Sequence, residues 1–126
     1  MKTSELIGPA LDWAVAKCEG FNAEWDDVFE DFWLEMGLRK YTRLGNYQPS
    51  EKWEQAGPII ERECIATYAS GACSVAPKNP DYWVAEILDT AEMITQFGPT
   101  PLIAAMRAYV ASKLGDEVEI PSELQP

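Results

Sequence analysis

The chain has 126 residues, enough for one hydrophobic core and too few for two independent domains. Ten Lys and Arg stand against 21 Asp and Glu; the net charge of −11 repels phosphate backbones and anionic lipid, which disfavours direct nucleic-acid and membrane-surface binding. No histidine is present, so the commonest general base, metal ligand and partner of a Ser or Cys nucleophile are all missing; no enzymatic activity, metal or cofactor is expected.

Cys18, Cys64 and Cys73 form no C-x-x-C pair, and their odd number argues against a disulfide framework and for reduced thiols. Cys18 and Cys64 lie in apolar segments and are expected to be buried. No apolar run approaches the roughly 18 residues of a membrane span, and no basic region precedes an apolar block at the N-terminus. The protein is expected to stay in the cytoplasm where it is made.

A first helix is expected to run to about Glu19, capped by Thr3 or Ser4, with Leu6, Ile7, Ala10, Leu11, Ala14, Val15 and Cys18 on one stripe and Gly20 as its stop. Pro9 removes a donor in the second turn, which favours a start near Gly8 instead. Asn22 to Gly37 is predicted as a second helix, because Trp25, Val28, Phe29, Phe32, Trp33 and Met36 follow the spacing of one helical face. That stripe either packs internally or forms a two-fold contact with a second copy. Residues 38 to 52 read as a loop or irregular edge. Pro58 suits the first position of a short helix to about residue 65, with a strand as the competing reading. Gly71 through Pro80 reads as a connection.

Tyr82 to Leu88 and Met93 to Phe97 are predicted as the strands of an antiparallel hairpin, joined at Asp89-Thr90-Ala91-Glu92. Thr100 caps a last helix that has Pro101 at its first position, Leu102, Ile103, Met106, Val110 and Leu114 on its buried side, and Gly115 as its stop. Residues 116–126 are expected to form an acidic tail that lies on the surface or frays. The whole reads as one α+β domain over 1–126, a small antiparallel sheet (hairpin about 82–97) with flanking helices.

The run Gly98-Pro99-Thr100-Pro101-Leu102-Ile103-Ala104-Ala105-Met106-Arg107, continuing to Val118, resembles the ending of the phage NinX-like family. Trp53, Gly57-Pro58-Ile59-Ile60-Glu61-Arg62-Glu63, the opening Lys2-Thr3-Ser4-Glu5-Leu6 and Leu11-Asp12-Trp13 extend the resemblance to about half of the chain. The stretch 22–37 has no counterpart there, and Ala56 stands where the family often has Gly. The resemblance implies a small accessory protein of tailed phages acting in the bacterial host cytoplasm on a compact α+β fold, with no enzymatic role to carry over.

Two candidate sites follow from the residues. Glu24, Asp27, Asp31 and Glu35 would line one face of the second helix, and from Glu19 to Glu35 there are seven acids and no base. Such a face is ordinarily a solvated one, but it also suits a basic groove on a host protein. Asp27, Asp31 and Glu35 also repeat at i, i+4, yet no calcium-loop spacing accompanies them, so no metal is assigned. The start of the last helix at Thr100, with Arg107 about one turn on, could receive an anionic small molecule. Trp53, Tyr47 and Arg62 would add stacking and charge if the fold gathered them. The plainer readings are a capped helix and a surface ion pair for Arg107. Glu61, Arg62 and Glu63 could likewise be a carboxylate base beside an arginine or plain ion pairing.

The leading expectation is therefore a non-catalytic phage accessory protein that binds or sequesters a host protein through an acidic helix. A module capturing a phosphorylated metabolite or signalling nucleotide is the alternative, and an enzyme using carboxylates or a thiol the third.

Overall fold

The structure, a computed structural model, describes residues 1–70, 79–89 and 92–125. Thr3–Glu5 form a short 3-10 turn, and helix α1 (Gly8–Cys18) begins at the later of the two expected starts, with Pro9 inside its first turn. Thr3 does not cap it. Its buried hydroxyl instead donates to the Gly115 carbonyl at 2.6 Å, and Ile7 is 55% exposed, off the stripe. Gly20, at φ +82°, stops α1 while the Phe21 N–H reaches back to the Ala16 carbonyl at 3.0 Å.

The predicted helix over 22–37 is instead a β-hairpin. Strand β1 (Asn22–Asp26) pairs antiparallel with β2 (Asp31–Gly37), and β3 (Lys40–Arg43) completes a sheet of order β1-β2-β3. The cause is local. The Asp26 carboxylate accepts the N–H groups of Val28 (2.8 Å) and Phe29 (3.3 Å), a turn that a continuing helix could not make, and Glu30 takes the left-handed φ of +51°. Phe32 and Leu34 alternate inward with period 2 and are buried, while Trp33 and Glu35 point outward. Trp, Phe and Val also favour a pleated surface, and Trp25 meets Phe32 across the strands at a 5.2 Å centroid distance. The helical spacing of these aromatics is a coincidence of their number. The stripe from Trp25 to Met36 is accordingly split, with Phe32 in the core and Val28, Phe29 and Met36 exposed.

Helix α2 (Trp53–Arg62) starts five residues before the expected position. Pro58 sits inside it, at an exposed position, and has no N–H to give the Glu54 carbonyl one turn earlier. The second sheet has order β4-β5-β6, from β4 (Ala66–Ser70), β5 (Asn79–Asp89) and β6 (Glu92–Gly98), and contains the predicted hairpin in register. Asn79 and Pro80, expected in the connection, already belong to β5; Cys73, the rest of that connection, Thr90 and Ala91 lie outside the described residues.

Helix α3 (Pro101–Leu114) is the hub, packing on both β5 and β6 and touching α1, α2 and β4. It is buried almost all round, as a central helix must be, with Met106, Tyr109 and Val110 at 2% exposure or less. Leu114, expected on its buried side, is 42% exposed, because it lies on the last turn. Thr100 caps α3 as predicted, its Oγ1 accepting the Ile103 N–H at 3.1 Å. Thr100→Ala is expected to cost about 1 kcal/mol in a chemical denaturation series.

The C-terminal segment does not fray at its start. Val118 exchanges backbone hydrogen bonds with Met1 (2.9 and 3.0 Å), the Thr3 N–H donates to the Asp116 carbonyl, and Val118 and Ile120 are buried. Its acids, Asp116, Glu117, Glu119 and Glu123, remain exposed. The architecture is thus α+β, with two antiparallel three-stranded sheets and three α-helices among the described residues.

Candidate functional site

The acidic candidates are rearranged by the hairpin. Glu24 and Glu35 fall on the outer face of the first sheet, where with Asn22, Trp33 and Tyr41 they line a shallow cleft of about 280 Å³. Asp31 shares that register but is engaged: it accepts the N–H groups of Phe32 (2.8 Å) and Gly45 (3.0 Å) and lies 3.9 Å from the Arg43 guanidinium. Asp27 is in the turn, accepting the Trp25 indole N–H at 2.8 Å. The four carboxylates therefore do not form one face.

The apex of this hairpin carries residues that the sequence reading placed on a buried stripe. Val28 is 85% and Phe29 54% exposed. The apex is shaped by Asp26, whose second oxygen accepts the Trp33 indole N–H at 2.8 Å. That bond, helped by the Val28 and Phe29 N–H groups, holds the Asp26 carboxyl below its usual range. Phe29 packs edge-on against Trp33 at 5.8 Å and lies 5.4 Å from the Arg43 guanidinium.

The five ligand candidates do not converge. Trp53, 57% exposed, does share a cleft of about 330 Å³ with Thr100, Ser50, Glu51 and the start of α3. That cleft is poorly made for an anion. Thr100 Oγ1 takes the Ile103 N–H, the Thr100 carbonyl takes that of Ala104, Pro101 has none, and Glu51 brings a negative charge. Arg107 lines a different cleft, and among the described residues it does not make the expected surface ion pair.

Arg62 is committed elsewhere. It grips Glu19 with both terminal nitrogens (2.6 and 3.3 Å), donates to Glu63 at 3.2 Å, and reaches the Tyr109 hydroxyl at 3.2 Å. The Glu19 bond raises its pKa further above the ordinary arginine value. Glu63 also pairs with Lys113 at 3.2 Å, so the Glu61-Arg62-Glu63 run serves ion pairing that ties α2 to the ends of α1 and α3. Tyr47 is buried against Phe21, ring centroids 5.5 Å apart, beside a third cleft, and burial pushes its hydroxyl pKa up.

The two described thiols differ in their surroundings. Burial pushes Cys18 up to about 12, whereas Cys64, expected in the core, is exposed at a positive φ of +53° just past α2. Asp12, which the helical pattern did not single out, is only 3% exposed; its carboxylate accepts the Ser50 N–H at 2.9 Å, yet burial raises its pKa to about 6. Among the described residues no group of three or more Cys, Asp or Glu is placed to hold a metal ion, and no helix is long and apolar enough to cross a membrane.

A family model described as Bacteriophage P22, NinX matches residues 2–113. No curated protein matches the chain.

Proposed function

The chain belongs to the phage P22 NinX family, and from that premise we propose that it is a non-catalytic accessory protein that binds a basic host protein in the cytoplasm of the infected cell through the β1–β2 hairpin. One observation carries this reading: an exposed apolar apex, Val28 and Phe29, set among carboxylates in a stretch with no Lys or Arg between Lys17 and Arg39. An apolar anchor that fills a pocket supplies most of the energy of an interface, while surrounding charges steer the encounter and select a partner of opposite sign. The net charge of −11 adds long-range attraction for such a partner. The fixed turn at Asp26 lowers the ordering cost of docking.

The test uses the immobilised full chain and host-cell lysate. The wild type is expected to retain a basic protein that is released as salt rises from about 0.1 to 0.5 M, where the screening length falls well below 10 Å. Val28→Ser, at a site that touches little of the fold, is expected to weaken that retention about tenfold with an unchanged melting temperature. Retention indifferent to both salt and Val28→Ser would sink the proposal.

A further inference from the structure

We propose a second, separate binding site: the cleft at the C-terminal end of β6 receives a small ligand made of a planar ring bearing one anionic group, with Arg107 taking the anion and the Tyr82–Phe97 pair taking the ring.

The cleft encloses about 290 Å³ and is lined by Ser4, Tyr82, Phe97, Gly98, Pro99 and Arg107. Four elements meet there: the Thr3–Glu5 turn, β5, the end of β6 and the second turn of α3. Arg107 is half-buried, and its donors are oriented by two backbone carbonyls, Nε to Leu6 at 2.8 Å and Nη1 to Phe97 at 2.8 Å. Both partners are neutral, and they fix the plane of the guanidinium without pairing its charge. Among the described residues Nη2 has no hydrogen bond, and no carboxylate pairs with Arg107.

That is an unusual position for a cation in a chain with twice as many acids as bases. Among the described residues Arg43, Arg62 and Lys113 have a carboxylate within 4 Å, and the bases without one, Lys2, Lys17, Arg39, Lys40 and Lys52, are exposed to solvent, whereas Arg107 is half-buried. Burial works against the charge of Arg107 and depresses its pKa, offset in part by the nearby Tyr82. A half-desolvated guanidinium held in a fixed plane with one face open is the donor arrangement that recognises phosphate or carboxylate.

The aromatic part of the site stands beside it. Tyr82 and Phe97 are stacked, with ring centroids 5.1 Å apart and 18° between their planes, and they remain 40% and 42% exposed. Such a pair offers a flat apolar face to a third ring. Gly98 contributes only backbone to the lining. The volume lies near the lower end for small-molecule sites, which limits the ligand to roughly the size of a nucleoside monophosphate or an aryl carboxylate.

Calorimetric titration of the full chain with AMP, 4-hydroxybenzoate, adenosine and inorganic phosphate tests this. AMP or 4-hydroxybenzoate is expected to saturate one site, and which of them does so identifies the anion as phosphate or carboxylate. Adenosine and phosphate, each lacking half of the ligand, are expected to bind at least about tenfold more weakly. Tyr82→Leu and Phe97→Leu, both at exposed positions, are each expected to weaken binding about tenfold while leaving the unliganded melting temperature in place. Arg107→Lys keeps the charge and loses the planar fork, and should cost a similar factor. If that variant is unstable, the comparison of AMP with adenosine still reads the anion. Failure of both ring-bearing anions to bind at about 100-fold excess over protein overturns the site, as does binding unchanged in Tyr82→Leu and Phe97→Leu.

Discussion

Alanine at Gly98 is expected to lower the unfolding free energy by about 3 kcal/mol. The cost comes from what the added methyl group meets. At Gly98 a Cβ would lie 2.8 Å from the Ala104 backbone nitrogen and 3.0 Å from Ile103 Cγ2, where the end of β6 rests on the first turn of α3. Neither neighbour can swing aside. Helix and sheet must separate, and they share the main core, including Ala85, Ile87, Ile103 and Met106. Urea denaturation of the variant beside the wild type checks this. An equal midpoint for Gly98→Ala and wild type would mean that sheet and helix are not in contact there.

Asp12→Asn is expected to stabilise the protein at pH 7 to 8 by about 3 kcal/mol and to leave it unchanged near pH 3. The carboxyl titrates at 3.8 when solvated and at about 6 in the fold, chiefly because burial penalises the charge, with the Ser50 N–H offsetting part of that cost. The folded state therefore holds this proton more tightly than the unfolded state. The contribution is favourable below pH 4, is lost as pH rises from about 4 to 6, and is constant above that. Asparagine fixes the neutral form and still offers an oxygen to Ser50. The difference between variant and wild-type unfolding free energies, followed from pH 3 to 8, isolates Asp12 from the other carboxylates. A difference that stays flat across that range would show that the group is not shifted.

Helix α3 and the β5–β6 hairpin were legible because their signals are local and agree with each other. Thr100-Pro101 and Gly115 mark the ends of one element, and two β-rich runs around a polar turn mark the other. The stretch over 22–37 was misread because two periods coexisted there. Trp25, Val28, Phe29 and Phe32 satisfy the helical spacing, while Phe32-Trp33-Leu34-Glu35 alternates as a strand does. The deciding feature was a short polar side chain. Asp26 turns the chain by capturing two N–H groups that a helix would have used otherwise, and the preference of Trp, Phe and Val for strands was the signal that could have found it. The early start of α2 had a fainter mark, Gln55, whose amide closes the preceding loop by bonding Gln48 and Asn46.

The sequence by itself determined the α+β class, the family, the last helix with its cap, and an acidic, histidine-free surface, since each of these follows from neighbouring residues or from totals. Which side chains meet was decided only by the tertiary structure. Arg62, Arg107, Thr100 and Tyr47 went to separate places, Tyr82 and Phe97 came to stand beside Arg107, and Val28 and Phe29 were left at an exposed apex. The physical reason is that such meetings depend on how α3 packs against the second sheet, α1 and α2 at once, and contacts between residues up to 117 positions apart leave no trace in local spacing.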